Sequence, residues 1–194
     1  EQLGFPVVLK PDVGERGSGV VIAHDERAVD HALRSAPSAM IAQAFVPGVE
    51  FGVFYFRHPT AARGEILAIT EKLTVGVTGD GTHTLDELIL SDDRAVCMAP
   101  FFHRKFAAQL DQIPTRGDRV ALSELGTHSR GALFLDGTAL TTPALAAAIE
   151  RVSRTFAGFY FGRYDVRAES VEAFQAGRFS VIELNGLTSE ATSI

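Results

Sequence analysis

The sequence predicts an α+β fold made of two lobes. Short apolar runs rich in β-branched residues alternate with segments of helical periodicity, and a Pro-Gly turn at residues 47–48 separates a short first part from a longer second part. The length of 194 residues suits one domain or two small lobes that share a core. With 46% hydrophobic and 22% charged residues, the composition is that of a folded protein. We therefore expect a small lobe over residues 1–46 and a larger α+β lobe over residues 47–194.

Three strands and one helix are predicted for the small lobe. The apolar runs Val7–Leu9 and Val20–Ile22 are typical of strands, and a glycine-rich stretch lies between them. Asp25 is a suitable N-cap for a helix over about 26–36, where apolar residues recur at helical spacing. Met40–Val46 predicts a third strand, which the Pro-Gly turn ends.

The large lobe is predicted to begin with two strands and a capped helix. Phe51–Phe56 and Ile66–Lys72 are the strand candidates. Thr84 and Glu87 form a capping-box pattern, in which the Thr oxygen caps the helix and the Glu three residues later reaches back. A short helix through Leu90 follows from this pattern.

Two further helices and two strands are predicted for the rest of the large lobe. One helix is expected over about 93–110. Thr142-Pro143 opens the other, because proline at the first helical position loses no hydrogen bond, and Gly158 stops it. The last two strands are expected at about 160–168 and 178–185.

Charge and cysteine content narrow the class of protein. A net charge of −6 argues against nucleic acid or an anionic membrane as the main partner, although a local basic pocket for a phosphorylated ligand is compatible with it. The single cysteine, Cys97, excludes an intrachain disulfide and is predicted to be a small buried hydrophobic residue. No apolar run reaches the ~18–20 residues of a membrane span, and no signal peptide is visible. We expect a piece of a longer cytoplasmic protein.

The first candidate site is the glycine-rich loop Gly14–Gly19. Glycines let backbone N–H groups crowd around phosphate oxygens, and Ser18 and Lys10 can add a donor and a positive charge. The loop lacks the Gly-Lys-Ser/Thr ending of a P-loop, and a strand follows it where a dinucleotide-binding motif needs a helix. A flexible hairpin turn is the alternative interpretation.

The second candidate site lies on the last two predicted strands. Side chains alternate along a strand, so Arg163, Asp165 and an arginine at 167 share one face, and Glu183 and Asn185 share another. In an antiparallel hairpin, a register that pairs Asp165 with Glu183 also pairs Arg163 with Asn185. Two carboxylates and an amide oxygen then converge, and such ligands suit Mg²⁺. The alternative is a carboxylate paired with a neighbouring arginine on a solvated face.

The third candidate site is the linker between the predicted lobes, residues 43–50. Its backbone N–H and C=O groups can meet an adenine edge, and Glu50 can accept hydroxyl protons from a ribose. The alternative is a plain hinge with an exposed glutamate. A glycine-rich loop beside a lysine, a linker, and a group of carboxylate and amide oxygens follow one another along the chain. Together they would bind a nucleoside triphosphate and its metal ion.

These segments resemble the ATP-grasp superfamily, and within it the carboxylate–amine ligases. GFPVVLKPDVGERGSGVV resembles the family's strand, lysine and glycine loop, and AQAFVPGVEFGVF resembles its hinge. GRYDVR followed by FSVIELNGLTSEAT is similar to the metal-binding end of D-alanine–D-alanine ligase, and TVGVTGDGTHTLDELI resembles the cyanophycin synthetase and glutathione-synthetase-like branch. The resemblance implies an ATP-grasp fold, in which two α+β lobes with antiparallel sheets grip the nucleotide between them.

The resemblance also implies a role for each matching residue. The nucleotide would be bound by Lys10, Gly17, Ser18, Gly19, Gln43, Val46 and Glu50. One or two Mg²⁺ ions, or Mn²⁺, would be held by Asp165, Glu183 and Asn185. Arg163 would face the γ-phosphate and the developing oxyanion, and Lys72 would lie near the phosphates.

The implied reaction joins a small-molecule carboxylate to an amine. The γ-phosphoryl group of ATP would activate the carboxylate as an acyl phosphate, which the amine then attacks. Such ligases carry a further N-terminal domain, which is absent from this chain, and a homodimer is compatible with the resemblance. A non-catalytic or regulatory ATP-binding module and a phosphotransferase on the same fold are the alternatives.

Two loops are less well matched to the family. The segment Gly126–Gly131 departs from the Asn- and Gly-rich run of the cyanophycin-type relatives, so His128 and Arg130 either belong to a surface loop or contact substrate or phosphate. The loop with Thr188, Ser189 and Glu190 follows the oxygen cluster and is expected where the amine approaches.

Overall fold

The computed structural model describes residues 3–14, 17–186 and 189 of the chain. Contacts between residues divide the chain into two compact units. Unit 1 comprises Glu1–Phe45 and Thr74–Leu133, and unit 2 comprises Val46–Leu73 and Phe134–Ile194. Thr74–Leu133 is therefore grouped with the N-terminal residues, whereas the sequence-based division assigned it to the large lobe. The division into lobes 1–46 and 47–194 stays a prediction.

The described residues form both strands and helices. The strands are β1 (Val7–Pro11), β2 (Val21–Ala23), β3 (Met40–Ala44), β4 (Val49–Phe56), β5 (Glu65–Leu73), β6 (Gly76–Thr78), β7 (Arg119–Ala121), β8 (Leu133–Asp136), β9 (Phe161–Ala168) and β10 (Ser180–Asn185). The α-helices are α1 (Glu26–Ser35), α2 (Leu85–Ser91), α3 (Ala99–Lys105), α4 (Pro143–Ser153) and α5 (Val171–Gln175). None of the helices in these described ranges has the length and apolar character that a membrane span requires.

Unit 1 contains a three-stranded antiparallel sheet in the order β2-β1-β3 and a two-stranded sheet of β6 and β7. Val8 pairs with Gln43 and Lys10 pairs with Ile41. Because paired residues of antiparallel strands point to the same side, Lys10 and Gln43 share one face of the first sheet. A separate apolar cluster, which includes Phe102 and Leu122, packs α2 and α3 against β6 and β7.

Unit 2 is built on a five-stranded sheet in the order β10-β9-β4-β5-β8. The pairings of β4 with β5 and β9, and of β9 with β10, are antiparallel, which confirms the predicted α+β fold with antiparallel sheets. One face of this sheet is apolar: Phe51 of β4 stacks on Phe174 of α5 with 3.9 Å between ring centroids, and Leu145 and Ile149 of α4 join the same core. The opposite face carries the charged residues described below.

Three helices begin at the residues that the sequence predicts. Asp25 accepts a hydrogen bond from Ala28 N at 2.8 Å. Thr84 and Glu87 form the complete capping box, and Thr142 caps α4 with Pro143 at its first position. Side-chain oxygens at these positions satisfy N–H groups that have no partner inside the helix, which fixes where each helix starts.

Several sequence-based predictions about elements were wrong. The helix expected over about 93–110 is only Ala99–Lys105 after a 3-10 turn, because Pro100 fits only the first turn of a helix. The helix α4 ends at Ser153, before Gly158, and Cys97 is exposed where burial was expected. The short elements β6, β7, β8 and α5 were not predicted.

Candidate functional site

Residues 17–20, at the end of the predicted phosphate-binding loop, form a tight turn in unit 1, and residues 15 and 16 of that loop lie outside the described residues. Gly17 and Gly19 both have a φ of 71°, a conformation that residues with a side chain rarely adopt, and Val20 N donates to Gly17 O at 3.3 Å. A Cβ on Gly17 would lie 2.9 Å from Cγ2 of Thr127, so the loop packs closely on the segment Gly126–Gly131. Ser18 is exposed at the tip of the turn.

The register of β9 and β10 is the one that the sequence hypothesis required. Asp165 pairs with Glu183, and Arg163 pairs with Asn185. A β-bulge near Ile182 shifts the register just before Glu183. Because the four residues lie at directly paired positions, they share one face of the sheet.

Asp165 lies at the centre of a buried group of charges on this face. Its side chain has both carboxylate oxygens bound by cations: Oδ1 accepts from Arg163 Nε at 3.0 Å, and Oδ2 lies 3.0 Å from Lys72 Nζ. Asp165 is only 6% exposed, so it does not lie on a solvated face, but the pairing with a neighbouring arginine that the alternative interpretation expects is present. Arg163 and Lys72 therefore both contact the Asp165 carboxylate.

Glu50 is the second carboxylate of this group. Its Oε1 lies 2.9 Å from Lys72 Nζ, and its Oε2 lies 3.1 Å from both Nε and Nη2 of Arg167. The residue is 9% exposed, so the alternative of a plain hinge with an exposed glutamate is wrong. Lys72 therefore bridges Glu50 and Asp165, which the sequence assigned to ribose and metal binding.

Gly52 leaves room for these side chains. It pairs with Asp165 on one side and with Thr70 on the other. A Cβ at this position would lie 3.2 Å from Arg163 Cδ and 3.5 Å from Asp165 Oδ1. The missing side chain lets the charged groups lie directly over the sheet.

The donor set at Asp165, Glu183 and Asn185 is chemically compatible with a divalent cation. Carboxylate and amide oxygens are the ligands that Mg²⁺ prefers. Nδ2 of Asn185 is buried and has no hydrogen-bond partner within residues 3–14, 17–186 and 189, and a half-turn of the amide would place its oxygen there instead. Over the same ranges, no group of three or more His, Cys, Asp or Glu side chains forms a metal site.

The other residues discussed from the sequence lie outside the charged group around Asp165. Arg130 stacks over the ring of Phe101 at 4.8 Å, and the side chain of His128 is not among the described groups. Thr188 and Glu190 lie outside the described residues, and Ser189 donates to Gly186 O. His103, for which the sequence shows no partner, lies 2.8 Å from Asp86 Oδ1.

Two residues of the site were missed by sequence reasoning about function. Arg167 was placed on the face of Asp165 but given no role, and Gly52 was not considered. Alternation along β9 identifies the face of Arg167, but its contact with Glu50 depends on β4 lying beside β9. No local pattern encodes that neighbour relation.

Comparisons with known proteins give two relatives and one solved structure. Cyanophycin synthetase of Synechocystis sp. is 28% identical over a match of 173 residues that covers 78% of this chain and 19% of the relative. Cyanophycin synthetase of Geminocystis herdmanii is 32% identical over 92 residues, 44% of this chain and 10% of the relative. A bifunctional glutathione synthetase from Pasteurella multocida matches 93% of this chain and 27% of its own with 18% identity and a TM-score of 0.45. No family model matches the chain.

The chain thus spans at most 19% of the length of these curated relatives. The match to the Synechocystis protein covers most of the chain, and the family-like motifs of the sequence analysis are also spread over most of it. The resemblance first indicated by the GRYD and ELN segments is confirmed: this chain is similar to cyanophycin synthetases, which belong to the ATP-grasp carboxylate–amine ligase group.

Proposed function

We propose that this chain is the ATP-binding part of an ATP- and Mg²⁺-dependent carboxylate–amine ligase. The observation that carries the proposal is the face on which Asp165 and Glu183 are paired neighbours, with Lys72 and Arg163 bound to Asp165. The similarity to cyanophycin synthetases supports this class of reaction over others. The activity, substrates and partners of the whole protein are part of the proposal, because the chain spans a minor share of its relatives.

The proposed chemistry has two steps. A substrate carboxylate oxygen attacks the γ-phosphorus, and the bond from that phosphorus to the β–γ bridging oxygen breaks, which releases ADP and gives an acyl phosphate. An amine then attacks the acyl carbon, the carbon–oxygen bond to phosphate breaks, and the amine loses a proton. No protein nucleophile is needed, so positioning and charge neutralisation are the tasks of the site.

The residues of this chain have distinct tasks in the proposal. Lys10 and the Gly17–Gly19 turn bind the phosphates, Glu50 binds the ribose, and Arg163 stabilises the charge that develops on the transferred group. Lys72 neutralises phosphate charge and orients Glu50 and Asp165, to which it is bound.

The divalent ion would be held by Asp165, Glu183 and Asn185. When bound, it would withdraw charge from the phosphate oxygens and orient them for in-line transfer. Nδ2 of Asn185, which is buried and has no hydrogen-bond partner among the described residues, supports a ligand at this position.

Trapping with hydroxylamine tests the proposed reaction. The full-length protein is incubated with Mg-ATP, pooled carboxylates and hydroxylamine, which converts an acyl phosphate to a hydroxamate. The proposal predicts hydroxamate together with ADP and phosphate in equal amounts, and an amide when an amine replaces hydroxylamine. A stable phosphorylated product without hydroxamate would instead indicate a phosphotransferase, and ATP binding without turnover would indicate a regulatory module.

A further inference from the structure

The charged face of the five-stranded sheet ends in a row of aromatic side chains, Phe54, Phe56 and Phe161. Phe54 pairs with Arg163 across β4 and β9, and Phe56 pairs with Phe161. Because side chains alternate along a strand and paired residues point to the same side, these three rings lie on the face that carries Arg163. Phe54 is buried and meets Phe161 edge-on, with 4.9 Å between ring centroids. Phe56 is 41% exposed, so part of its ring surface stays uncovered within the described residues.

The residues of the proposed site follow one another along β9 in steps of two. Arg167 is bound to Glu50, the proposed ribose ligand. Asp165, the proposed metal ligand, comes next, and Arg163, the proposed γ-phosphate contact, follows it. Two residues of a strand span about 6.7 Å. Phe161 therefore lies one such step beyond Arg163, on the side that points away from Glu50.

In-line transfer fixes the side from which the substrate acid approaches. The attacking carboxylate oxygen and the leaving β–γ bridging oxygen lie on opposite sides of the γ-phosphorus. In the proposed function ADP extends from Arg163 towards Glu50, so the acid extends from Arg163 in the other direction. Its substituent then lies over the aromatic row, where contact removes apolar surface of both the ring and the acid from water.

A carboxylate beside the aromatic row favours an acid with a single carboxyl group. Glu65 of β5 pairs with Phe56 on the other side of β4 from Phe161, and it is exposed. A second carboxylate on the acid would approach this negative charge, and like charges repel. The aromatic row therefore fits a monocarboxylic acid whose remaining part is apolar.

We infer that the acid substrate is a monocarboxylic acid with an aliphatic or aromatic substituent, and that Phe56 is a specificity-determining residue for it. The inference rests on the proposed function, because the direction of the acid follows from the roles given there to Glu50, Asp165 and Arg163. It adds the chemical class of the acid to that function. The open surface of Phe56 is the contact that distinguishes an apolar substituent from a charged one.

The first test measures hydroxamate formation by the full-length protein with matched acids at saturating Mg-ATP. The pairs are 3-phenylpropanoate with glutarate and phenylalanine with glutamate, each of which compares an aromatic group with a second carboxyl group. The value of kcat/KM should be higher for the aromatic acid of each pair by roughly tenfold or more. If no acid gives hydroxamate, the proposed function fails and the inference fails with it. If the dicarboxylic acids react equally well or better, only the inference fails.

Variants locate the preference at Phe56. Phe56→Ala should lower kcat/KM for 3-phenylpropanoate by roughly tenfold through a higher KM, the effect of lost contact with about two methylene groups. Its affinity for Mg-ATP, measured by calorimetry, should stay that of the parent, and Phe56→Leu should retain most of the activity. The matched control is Phe156→Ala, which removes a phenylalanine of unit 2 that is 49% exposed and lies outside the aromatic row. This control should keep the parent's values.

Two further outcomes decide the role of the aromatic row. If Phe56→Ala is less stable than the parent but has the same preference among the acids, another segment of the full-length protein covers Phe56, and the inference is overturned. Glu65→Gln covers the case in which Phe56→Ala does not fold. It should raise kcat/KM for glutarate about two- to threefold relative to 3-phenylpropanoate, because it removes an exposed like charge. An unchanged ratio of the two acids would contradict the inference.

Discussion

At the scale of single residues, the buried charges around Asp165 are the feature that most constrains the molecule. Lys72 is the shared partner of two buried carboxylates, with its side chain 6% exposed. Burial of charges is costly unless they are paired, so removal of the shared cation leaves Glu50 and Asp165 each with one partner fewer.

We predict that Lys72→Met lowers the free energy of unfolding by about 3–5 kcal/mol. Arg34→Met is the control, because Arg34 and its partner Asp30 are 81% and 71% exposed and such pairs contribute about 0–1 kcal/mol. Urea unfolding at neutral pH measures both changes. Similar losses in the two variants would show that the group of charges around Lys72 is not structurally important.

Glu150 gives a pH-dependent prediction at the same scale. Burial alone would raise its pKa, but hydrogen bonds from Tyr55, the Gly64 N–H and Arg154 outweigh it and lower the pKa to about 2. A carboxyl group with a lowered folded-state pKa stabilises the fold above its unfolded value near 4.5, and this contribution is lost as pH falls towards 2. Glu150→Gln should therefore be less stable than the parent at pH 7.

The difference between Glu150→Gln and the parent should shrink as the pH is lowered from 4.5 to 2. Urea midpoints of both proteins across this range measure it. A difference that stays constant over the range would mean that the charge of Glu150 has no part in holding Tyr55 and the Gly64 loop.

At the scale of elements, the hairpin of β9 and β10 shows what local sequence can predict. Alternation along two short strands showed that a register which pairs Asp165 with Glu183 also pairs Arg163 with Asn185, but it did not select that register, which the structure has. The burial of Asp165 and Glu50 was not predictable, because it depends on β4 lying between β9 and β5. Strand order of this kind is set by contacts between distant parts of the chain.

Some helix boundaries were predicted from local sequence and others were not. Thr84 and Thr142 cap their helices through side chains close in sequence, and both helix starts were predicted. The short α3 was not predicted, because the role of Pro100 as a first-turn residue was not recognised. The end of α4 at Ser153 was not predicted either, since no glycine or proline follows it before Gly158.

The hinge gives an element-scale prediction. Gly48→Ala should destabilise the protein by roughly 4 kcal/mol or more, because its Cβ would overlap the Ala168 carbonyl. Gly158→Ala is a matched control: Gly158 also has a positive φ, 78°, but no heavy atom lies within 4 Å of its added Cβ. That change should cost only about 1–2 kcal/mol. Equal thermal shifts in the two variants would mean that the hinge does not pass tightly over β9.

At the scale of the whole molecule, the residues that the proposed function assigns to Mg-ATP fall in both units. Unit 1 holds Lys10, the Gly17–Gly19 turn and Gln43, while unit 2 holds Glu50, the charged group and the β10 donors. Mutations in either unit should therefore weaken the same binding event, and Lys10→Met and Asp165→Asn should each reduce affinity for Mg-ATP by roughly tenfold or more.

Calorimetry of ATP binding with and without Mg²⁺ tests the central claim most directly. The parent should bind ATP more tightly when Mg²⁺ is present, and this gain should disappear in Asp165→Asn and Glu183→Gln but persist in Glu172→Gln, an exposed first-turn residue of α5. If both site variants retain the full Mg²⁺-dependent gain, Asp165 and Glu183 do not hold the metal and the proposed site is wrong.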